Sequence, residues 1–315
     1  MSERAASGIQ HELVAGGYRA VVASVGATLR SLSFEGRDLI LPFDADEVRP
    51  GFRGATLAPW PNRVVDGRYV FAGEEHQLSL TEPERRHALH GLAGWQHWGA
   101  VSADAAHVTL RFVIEPQEGY PWRVALDTEY RLGAGGLTQR LRAMNMSASV
   151  VPFGTGPHPY LVAPGALEDW VLHLPASRVL LTTDDRLVPT SLESVEVDAA
   201  RFDFRAPRTV GDTQLDHAYT GLLVGADSQA TATVTDATGV GAGLRWGAEC
   251  PWVQAYTGDV PGGAANPLNR IGLAIEPMTC APDAFNDAAY DWDPGLLSLE
   301  SGGSVEASWT LFALS

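Results

Sequence analysis

His158 lies between two prolines in the segment GPHPYL, residues 156–161. Each proline fixes its own φ and pushes the preceding residue into an extended conformation, so Gly156 and His158 are both steered away from helix. The imidazole is therefore aimed before any ligand binds. Because imidazole titrates near neutral pH, an aimed one is suited to moving protons. A rigid turn that holds a hydrogen-bonded packing histidine is the non-catalytic alternative.

Glu276 is an ionisable residue with similarly restricted geometry. It follows the apolar run GLAI and precedes Pro277, which keeps it extended. We therefore expect its carboxylate to emerge at the mouth of a sheet. A solvated glutamate at the end of a strand is the alternative.

Further polar side chains occur among glycines, prolines and aromatic residues, in contrast to the alternating background of the chain. These clusters are PWPNRVVDGRY (59–69), HALHGLAGWQHW (87–98), QLDHAYTGL (214–222) and LAIEPMTCAPDAFN (273–286). The second cluster raises the alternative of a metal site built from His87, His90 and His97. Their spacing matches no common ligand pattern, so we predict no metal and no cofactor.

In this order the clusters resemble the aldose 1-epimerase (mutarotase) family, from about residue 18 to the carboxyl end. The pair Asn62-Arg63 followed by DGRY is similar to the family pattern N-R-x-x-x-G-x-[FY]. LHG, which contains His90, resembles L-H-G-G, with Leu92 in place of the second glycine. The remaining matches are PHPYL to H-x-Y-[FL], LDHAY to D-x-x-[FY], AIEP to L-x-x-E-[PT] and PDAFN to P-[DN]-x-x-N.

This resemblance implies an enzyme that interconverts the α and β anomers of a hexose. Glu276 would be the general base at the C1 hydroxyl, and His158 the general acid at the ring oxygen, both facing one hexose ring. The resemblance also implies four sugar-binding residues: His90, Asp216, Arg63 and Asn62. Taken alone, Arg63 could form a surface salt bridge, and Asp216 or Asn62 could shape a turn.

Other functions stay open at this point. The PWPNR form is closer to a bacterial branch of uncertain sugar specificity, which includes enzymes proposed for 6-sulfonated hexoses. Arg85 and Arg86 could supply a cationic pocket for a 6-phosphorylated hexose, or they could simply be solvated. A carbohydrate-binding β-sandwich without turnover is a second alternative. A lyase or hydrolase is a third, and hydrolysis would require Asp216 or Asp283 as a second carboxylate.

Alternating apolar and polar residues predict the strands that must position these side chains. The alternation covers residues 18–32, 107–114, 122–132, 136–145 and 304–314, and short turns occur at 34–38, 71–75 and 133–136. The alternation predicts an all-β fold, a large antiparallel β-sandwich formed by residues 1–315 as a single domain, and the resemblance implies that it is of the galactose mutarotase-like supersandwich type. The irregular segment 256–270 is predicted to be a rim loop.

Composition restricts the partners. The chain has 22 Lys and Arg against 38 Asp and Glu, a net charge of −16, which repels nucleic acid and anionic membranes. No apolar run approaches the length of a membrane helix, and the amino terminus lacks a secretory pattern, so we expect a cytoplasmic protein. The predicted partner is a small sugar, bound by a monomer or homodimer.

Overall fold

The computed structural model describes residues 4–315, which are almost entirely strands and connecting loops. The strands of the first part of the chain are β1 (Gln10–Ala15), β2 (Tyr18–Ala23), β3 (Thr28–Phe34), β4 (Arg37–Asp38), β5 (Thr56–Leu57), β6 (Arg63–Val65), β7 (Arg68–Phe71), β8 (Glu74–Gln77), β9 (His87–Leu89), β10 (Gly99–Ala103) and β11 (His107–Ile114).

The middle of the chain continues this pattern. It contains β12 (Val124–Gly133), β13 (Gly136–Asn145), β14 (Val151–Phe153), β15 (Gly156–Pro157), β16 (Tyr160–Leu161), β17 (Val171–His173), β18 (Ala176–Thr182), β19 (Pro189–Ser194) and β20 (Arg208–Thr209).

The last part adds the strands that carry much of the site. They are β21 (Asp216–Leu222), β22 (Ala230–Thr235), β23 (Gly241–Trp246), β24 (Trp252–Tyr256), β25 (Leu273–Met278), β26 (Leu297–Leu299) and β27 (Ser304–Leu314). Helical segments are short: 3₁₀ turns at Pro50–Phe52, Leu167–Asp169, Val195–Asp198, Gly263–Ala265 and Ala284–Ala289, and one α-helical turn, α1 (Ala199–Phe202).

Two large antiparallel sheets confirm the predicted all-β sandwich. One has nine strands in the order β10-β11-β12-β13-β27-β23-β22-β17-β20, and the other has six in the order β16-β25-β24-β21-β18-β19. The strands β1 to β4 form a separate four-stranded sheet. Among residues 4–315, no helix is long and apolar enough to span a membrane.

Register determines which face of the six-stranded sheet carries the site. Directly paired residues project to the same face, and successive residues alternate between faces. Val253 and Ile275 therefore project to the face opposite Gln254 and Glu276, which are paired across β24 and β25. The first two belong to the main hydrophobic core, together with Leu126 of the nine-stranded sheet. One face thus packs in the sandwich core and the other is left for polar side chains.

The predicted strands agree with the structure at most positions. Residues 107–114, 136–145 and 304–314 form strands with the predicted limits. The predicted run 18–32 is wrong in one respect, because it divides into β2 and β3 around a turn at residues 24–27. There the Thr28 hydroxyl donates to the Val25 carbonyl, and Gly26 and Ala27 have positive φ values.

Candidate active site

A cavity of about 890 Å³ opens on the polar face of the six-stranded sheet. All six predicted site residues line it: Asn62, Arg63, His90, His158, Asp216 and Glu276. This volume lies in the upper part of the range of small-molecule sites, which is about 300 to 1,000 Å³. The predicted rim loop also contributes, since Asp259, Pro261 and Leu268 lie on the cavity wall.

The segment around His158 is fixed on both sides. The His158 backbone N–H donates to the Ala55 carbonyl at 3.1 Å, and its carbonyl accepts from the Gly54 N–H at 2.7 Å. Gly156 lies so close to β25 that a Cβ there would approach the Pro277 carbonyl oxygen to 2.6 Å. Only glycine allows this contact, which brings the segment of His158 against the strand of Glu276.

His158 and Glu276 meet at the buried end of the cavity. Nε2 of His158 lies 3.5 Å from Oε1 of Glu276, and the side chains are 6% and 2% exposed. Their other polar atoms, His158 Nδ1 and Glu276 Oε2, are buried without a hydrogen-bond partner among the described residues. Unsatisfied polar atoms are rare in protein interiors, so two at one place indicate a site built for a ligand.

Burial disfavours the charged form of both groups. It raises the pKa of Glu276 well above its usual range, and the neighbouring Asp216 adds to the rise while Arg63 opposes it. It lowers the pKa of His158 to about 3, with a further contribution from Arg49 and Arg63. If one group accepts a proton from a ligand while the other donates one to it, the pair therefore brings no net charge into the protein interior.

Asp216 is held by a glutamine that sequence reasoning missed. Gln254 donates from Nε2 to Oδ1 of Asp216 at 2.6 Å and lies directly opposite Glu276 in the strand register. Oε1 of Gln254 is buried and has no partner in the part of the chain that the structure describes. Asp216, Gln254 and Glu276 thus form a row of polar groups across three adjacent strands.

His90 and Asn62 are joined by two reciprocal contacts. The Asn62 N–H donates to His90 Nδ1 at 3.1 Å, and the His90 N–H donates to the Asn62 carbonyl at 2.8 Å. Because Nδ1 accepts, the proton of the neutral ring is assigned to Nε2. Burial lowers the pKa of His90 well below its usual range, and His158, Arg63 and Arg49 add to this effect. His90 is therefore a neutral hydrogen-bond donor.

Arg63 forms a nearly buried ion pair and not the surface salt bridge considered as an alternative. Its Nε and Nη2 donate to the two oxygens of Glu82 at 2.8 and 3.0 Å, and the side chains are 11% and 9% exposed. Burial would raise the pKa of Glu82, but hydrogen bonds from Arg63 and Arg85 hold it below its usual range. Nη1 of Arg63 faces Asn62 Oδ1 at 3.4 Å.

The histidines considered for a metal site are separated by their partners. His87 Nε2 contacts the Arg186 carbonyl at 2.8 Å, and His97 Nδ1 contacts the Ser24 hydroxyl at 3.1 Å, whereas His90 faces the cavity. Among residues 4–315, no three metal-ligating side chains come together.

Asp283, the other carboxylate considered for hydrolysis, supports the backbone behind Arg63. It accepts from the Val65 N–H at 2.7 Å and from the Tyr290 hydroxyl, and its own N–H donates to the Arg63 carbonyl. Asp283 is not part of the cavity wall.

The aromatic lining of the cavity consists of Phe52, Tyr160, Phe202 and Tyr256. The sequence offered no signal for Phe52, which enters the site through a left-handed turn (φ 56°). The tryptophans of the polar clusters do not line the cavity: Trp60 and Trp98 are buried in the core, and Trp95 is exposed.

Comparisons with known proteins agree with this architecture. A family model described as "Aldose 1-epimerase" matches residues 10–310. The uncharacterized protein YihR of Escherichia coli K12 is 34% identical over 298 residues, which cover 94% of this chain and 90% of that protein.

Two solved structures show the same fold. A putative aldose 1-epimerase from Escherichia coli K12 superposes with a TM-score of 0.81 at 22% identity, covering 98% of this chain and 99% of the other. A galactose 1-epimerase from Lactobacillus acidophilus superposes with a TM-score of 0.76 at 20% identity, covering 95% and 92%. With the family match extending over almost its whole length, the chain belongs to the aldose 1-epimerase family.

Proposed function

We propose that this protein is an aldose 1-epimerase that interconverts the α and β anomers of a hexose by general acid/base catalysis. The observation that carries the proposal is the 3.5 Å approach of His158 Nε2 to Glu276 Oε1 at the buried end of the cavity. The two oxygens that exchange protons during mutarotation, O1 and the ring oxygen, are both bonded to C1. An acid and a base that serve them must therefore lie side by side, as these two groups do.

In the proposed reaction, Glu276 takes the proton of the C1 hydroxyl while His158 gives a proton to the ring oxygen. The bond between C1 and the ring oxygen breaks, and C1 becomes the carbonyl carbon of the open-chain aldehyde. Rotation about the C1–C2 bond presents the other carbonyl face, and ring closure returns both protons to their donors. Each assisted proton transfer is typically worth about 10²- to 10⁴-fold, or roughly 3 to 5 kcal/mol of barrier.

The buried pair needs one exchangeable proton for this reaction. With the proton on His158, Glu276 is the base; burial favours the alternative in which the carboxyl holds the proton and both groups are neutral. The two forms differ by transfer of one proton between Oε1 and Nε2, so they titrate as a unit. Sugar hydroxyls next to the carboxylate would replace its lost hydration and favour the form in which Glu276 is the base.

The remaining polar groups supply the contacts that a hexose requires. Asp216 and the free Oε1 of Gln254 can accept hydrogen bonds from hydroxyl groups. Nε2–H of His90 and the free donors of Arg63 can donate to sugar oxygens. Acceptors and donors thus lie on different walls of the cavity, which would fix the orientation of the ring.

A hexose with an anionic group at C6 is a second candidate substrate, and Arg53 favours it. Arg53 lines the cavity, with its guanidinium 6.0 Å from the ring centre of Tyr160. It forms no salt bridge within residues 4–315. Arg85 is less suited, because it already donates to Glu82 in a salt bridge, and Arg86 does not line the cavity.

A sugar-binding protein without turnover would have no use for a buried, proton-sharing pair. Maintaining two ionisable groups in the protein interior costs stability, which a purely binding site could avoid with neutral donors and acceptors. The pair therefore supports the enzyme over the lectin alternative.

The decisive experiment is a panel of freshly dissolved single anomers followed by polarimetry or NMR exchange. The panel contains neutral hexoses, hexose 6-phosphates and 6-sulfonated hexoses, each corrected for spontaneous mutarotation. We expect acceleration of at least one sugar by the wild type and its loss in Glu276→Gln, with the exposed Glu75→Gln as control. No acceleration of any sugar, or full activity in Glu276→Gln, would overturn the proposal.

A further inference from the structure

Arg49 is a buried cation that forms no salt bridge among residues 4–315. Its side chain donates from Nη1 to the Thr28 hydroxyl and from Nη2 to the Gly94 carbonyl, both at 2.6 Å. The residue is 5% exposed, Nε has no partner, and no carboxylate of the described chain forms a salt bridge with it. Buried charges are normally paired, so a cation kept in this way requires an explanation.

Aromatic rings connect Arg49 to the catalytic end of the cavity. The guanidinium lies 4.3 Å from the ring centre of Trp95 and 5.7 Å from that of Phe52. Phe52 packs on Trp95 and also on His90, with ring centres 5.4 and 4.7 Å away. The ring centre of His90 lies in turn 5.0 Å from that of His158. We call Arg49, Phe52 and Trp95 the Arg49 clamp.

The backbone of the clamp is strained at Phe52. Its φ is 56°, a value uncommon for a bulky residue, and such a conformation costs about 1 to 3 kcal/mol. The turn is closed by the Arg53 N–H to the Pro50 carbonyl and the Ala55 N–H to the Phe52 carbonyl. Strain that persists next to a site indicates that the surrounding structure holds the residue for a purpose.

The same turn also carries His158. Gly54 and Ala55, two and three residues after Phe52, are the residues whose backbone groups hold the His158 segment on both sides. The turn at residues 52–55 therefore fixes His90 by ring packing and His158 by backbone hydrogen bonds. A displacement of this turn would move both imidazoles together.

We propose that the Arg49 clamp positions His90 and His158 for proton transfer. This inference rests on the proposed epimerase function. The charged and titratable groups that face the two rings are Glu276, Arg63, Arg49 and Tyr160, besides the rings themselves. Burial lowers the pKa of both histidines, and the positive charges of Arg49 and Arg63 act in the same direction.

The test compares Arg49→Met, which removes the charge, with Arg49→Lys, which keeps it. In Arg49→Met we expect kcat/KM to fall about 10- to 100-fold through displacement of the histidines. We also expect the low-pH limb of its pH profile to move upward by about half a unit or more, because a neighbouring positive charge is lost. In Arg49→Lys, the low-pH limb of the pH profile should lie at the same pH as in the wild type.

Arg37→Met is the matched control. Arg37, like Arg49, forms no salt bridge among the described residues; it donates to the backbone carbonyls of Gly241 and Leu314 and lies outside the cavity. It should leave both the rate and the pH profile unchanged. Rate loss in Arg49→Met without a shift of the low-pH limb would assign Arg49 a purely structural role and overturn the proposal, as would an unchanged rate.

A second measurement does not need turnover. The ring resonances of His90 and His158 can be titrated by NMR in the wild type, in Arg49→Met and in Phe52→Leu, which keeps the charge and removes the aromatic contact. Upward shifts of the histidine pKa values in Arg49→Met alone would support the clamp even if no aldose of the panel is a substrate. Identical titrations in all three proteins would overturn it, and folding is checked independently by thermal unfolding.

Discussion

Nε2 of His158 and Oε1 of Glu276 lie 3.5 Å apart, although the two residues come from segments that are far apart in the chain. The pairing of β16 with β25 and the close approach of Gly156 to Pro277 bring these segments together. Each residue also has a second buried polar atom without a partner among the described residues. A pair needed only for stability would have these atoms hydrogen-bonded. The unsatisfied atoms and the adjoining cavity are better explained by a substrate whose hydroxyl groups complete the network.

Substitution of either member of this pair should abolish most of the activity. We expect Glu276→Gln and His158→Ala each to lower kcat by about 10²- to 10⁴-fold, because each removes one of two coupled proton transfers. In the double variant, kcat should be only slightly lower than in the less active single variant, because the effects of residues that act as a unit are not additive. Rates of anomer exchange measured by NMR test this, and additive losses would show that the two residues act independently.

Binding should survive in one of these variants. Glutamine has nearly the shape of glutamate, so Glu276→Gln should still bind the sugar in an NMR or calorimetric titration. Loss of both binding and turnover would place Glu276 among the binding residues and leave the base unidentified.

The pH profile should be broad and displaced to low pH on its acid side. A second proton on the pair would eliminate the base, and the pKa of His158 is lowered to about 3 by burial, so activity should persist at pH 5, where an ordinary histidine is charged. On the alkaline side, activity should fall when the pair loses its only proton. The raised pKa of Glu276 determines the pH at which this happens. An acid limb near the usual histidine value of 6.5 would contradict this protonation scheme.

The sequence predicts strands well where only one face is buried. Residues 107–114 and 304–314 alternate clearly and form strands with those limits. The break between β2 and β3 is not visible in the pattern, because the alternation continues through the turn and the residues next to it, 20–23 and 28–29, are all buried.

Local sequence context also determines which site residues can be recognised before the structure is known. His158 and Glu276 stand beside prolines in recognisable motifs, so local chemistry and resemblance both point to them. Gln254 lies in β24 (WVQAY), where one amide among apolar and aromatic residues does not by itself indicate a binding site. Phe52 depends on a positive φ that its residue type does not predict. Both become functional candidates only through tertiary contacts.

The ion pair between Arg63 and Glu82 should contribute to both stability and substrate binding. Glu82→Ala leaves a nearly buried guanidinium without its partner, and we expect a loss of about 3 kcal/mol in the free energy of unfolding. KM should also rise, because Arg63 is no longer held against the cavity. Glu12→Ala, which breaks the exposed pair with Arg19, should change stability by less than about 0.5 kcal/mol. If urea unfolding showed equal losses of free energy in Glu82→Ala and Glu12→Ala, burial of the Arg63 pair would not contribute to its effect on stability.

Glu276→Gln should make the protein more stable while it becomes less active. The pKa of Glu276 is raised above its ordinary value of 4.5 in the folded state, so folding is progressively disfavoured as pH rises above that value. Glutamine does not carry this cost, and we expect a gain of about 1 kcal/mol at pH 7.

The gain should shrink toward pH 4, where the carboxyl is protonated in the folded chain and increasingly so in the unfolded chain. Thermal unfolding at both pH values, with Glu75→Gln as the exposed control, measures this difference. A stability gain that does not depend on pH would arise from packing, and a loss at pH 7 would mean that the ionised carboxylate is stabilised in the folded protein. Because the same buried carboxyl group is proposed to bind the C1 proton, the pH-dependent gain would show that the fold retains an unfavourable group at the position where the reaction requires one.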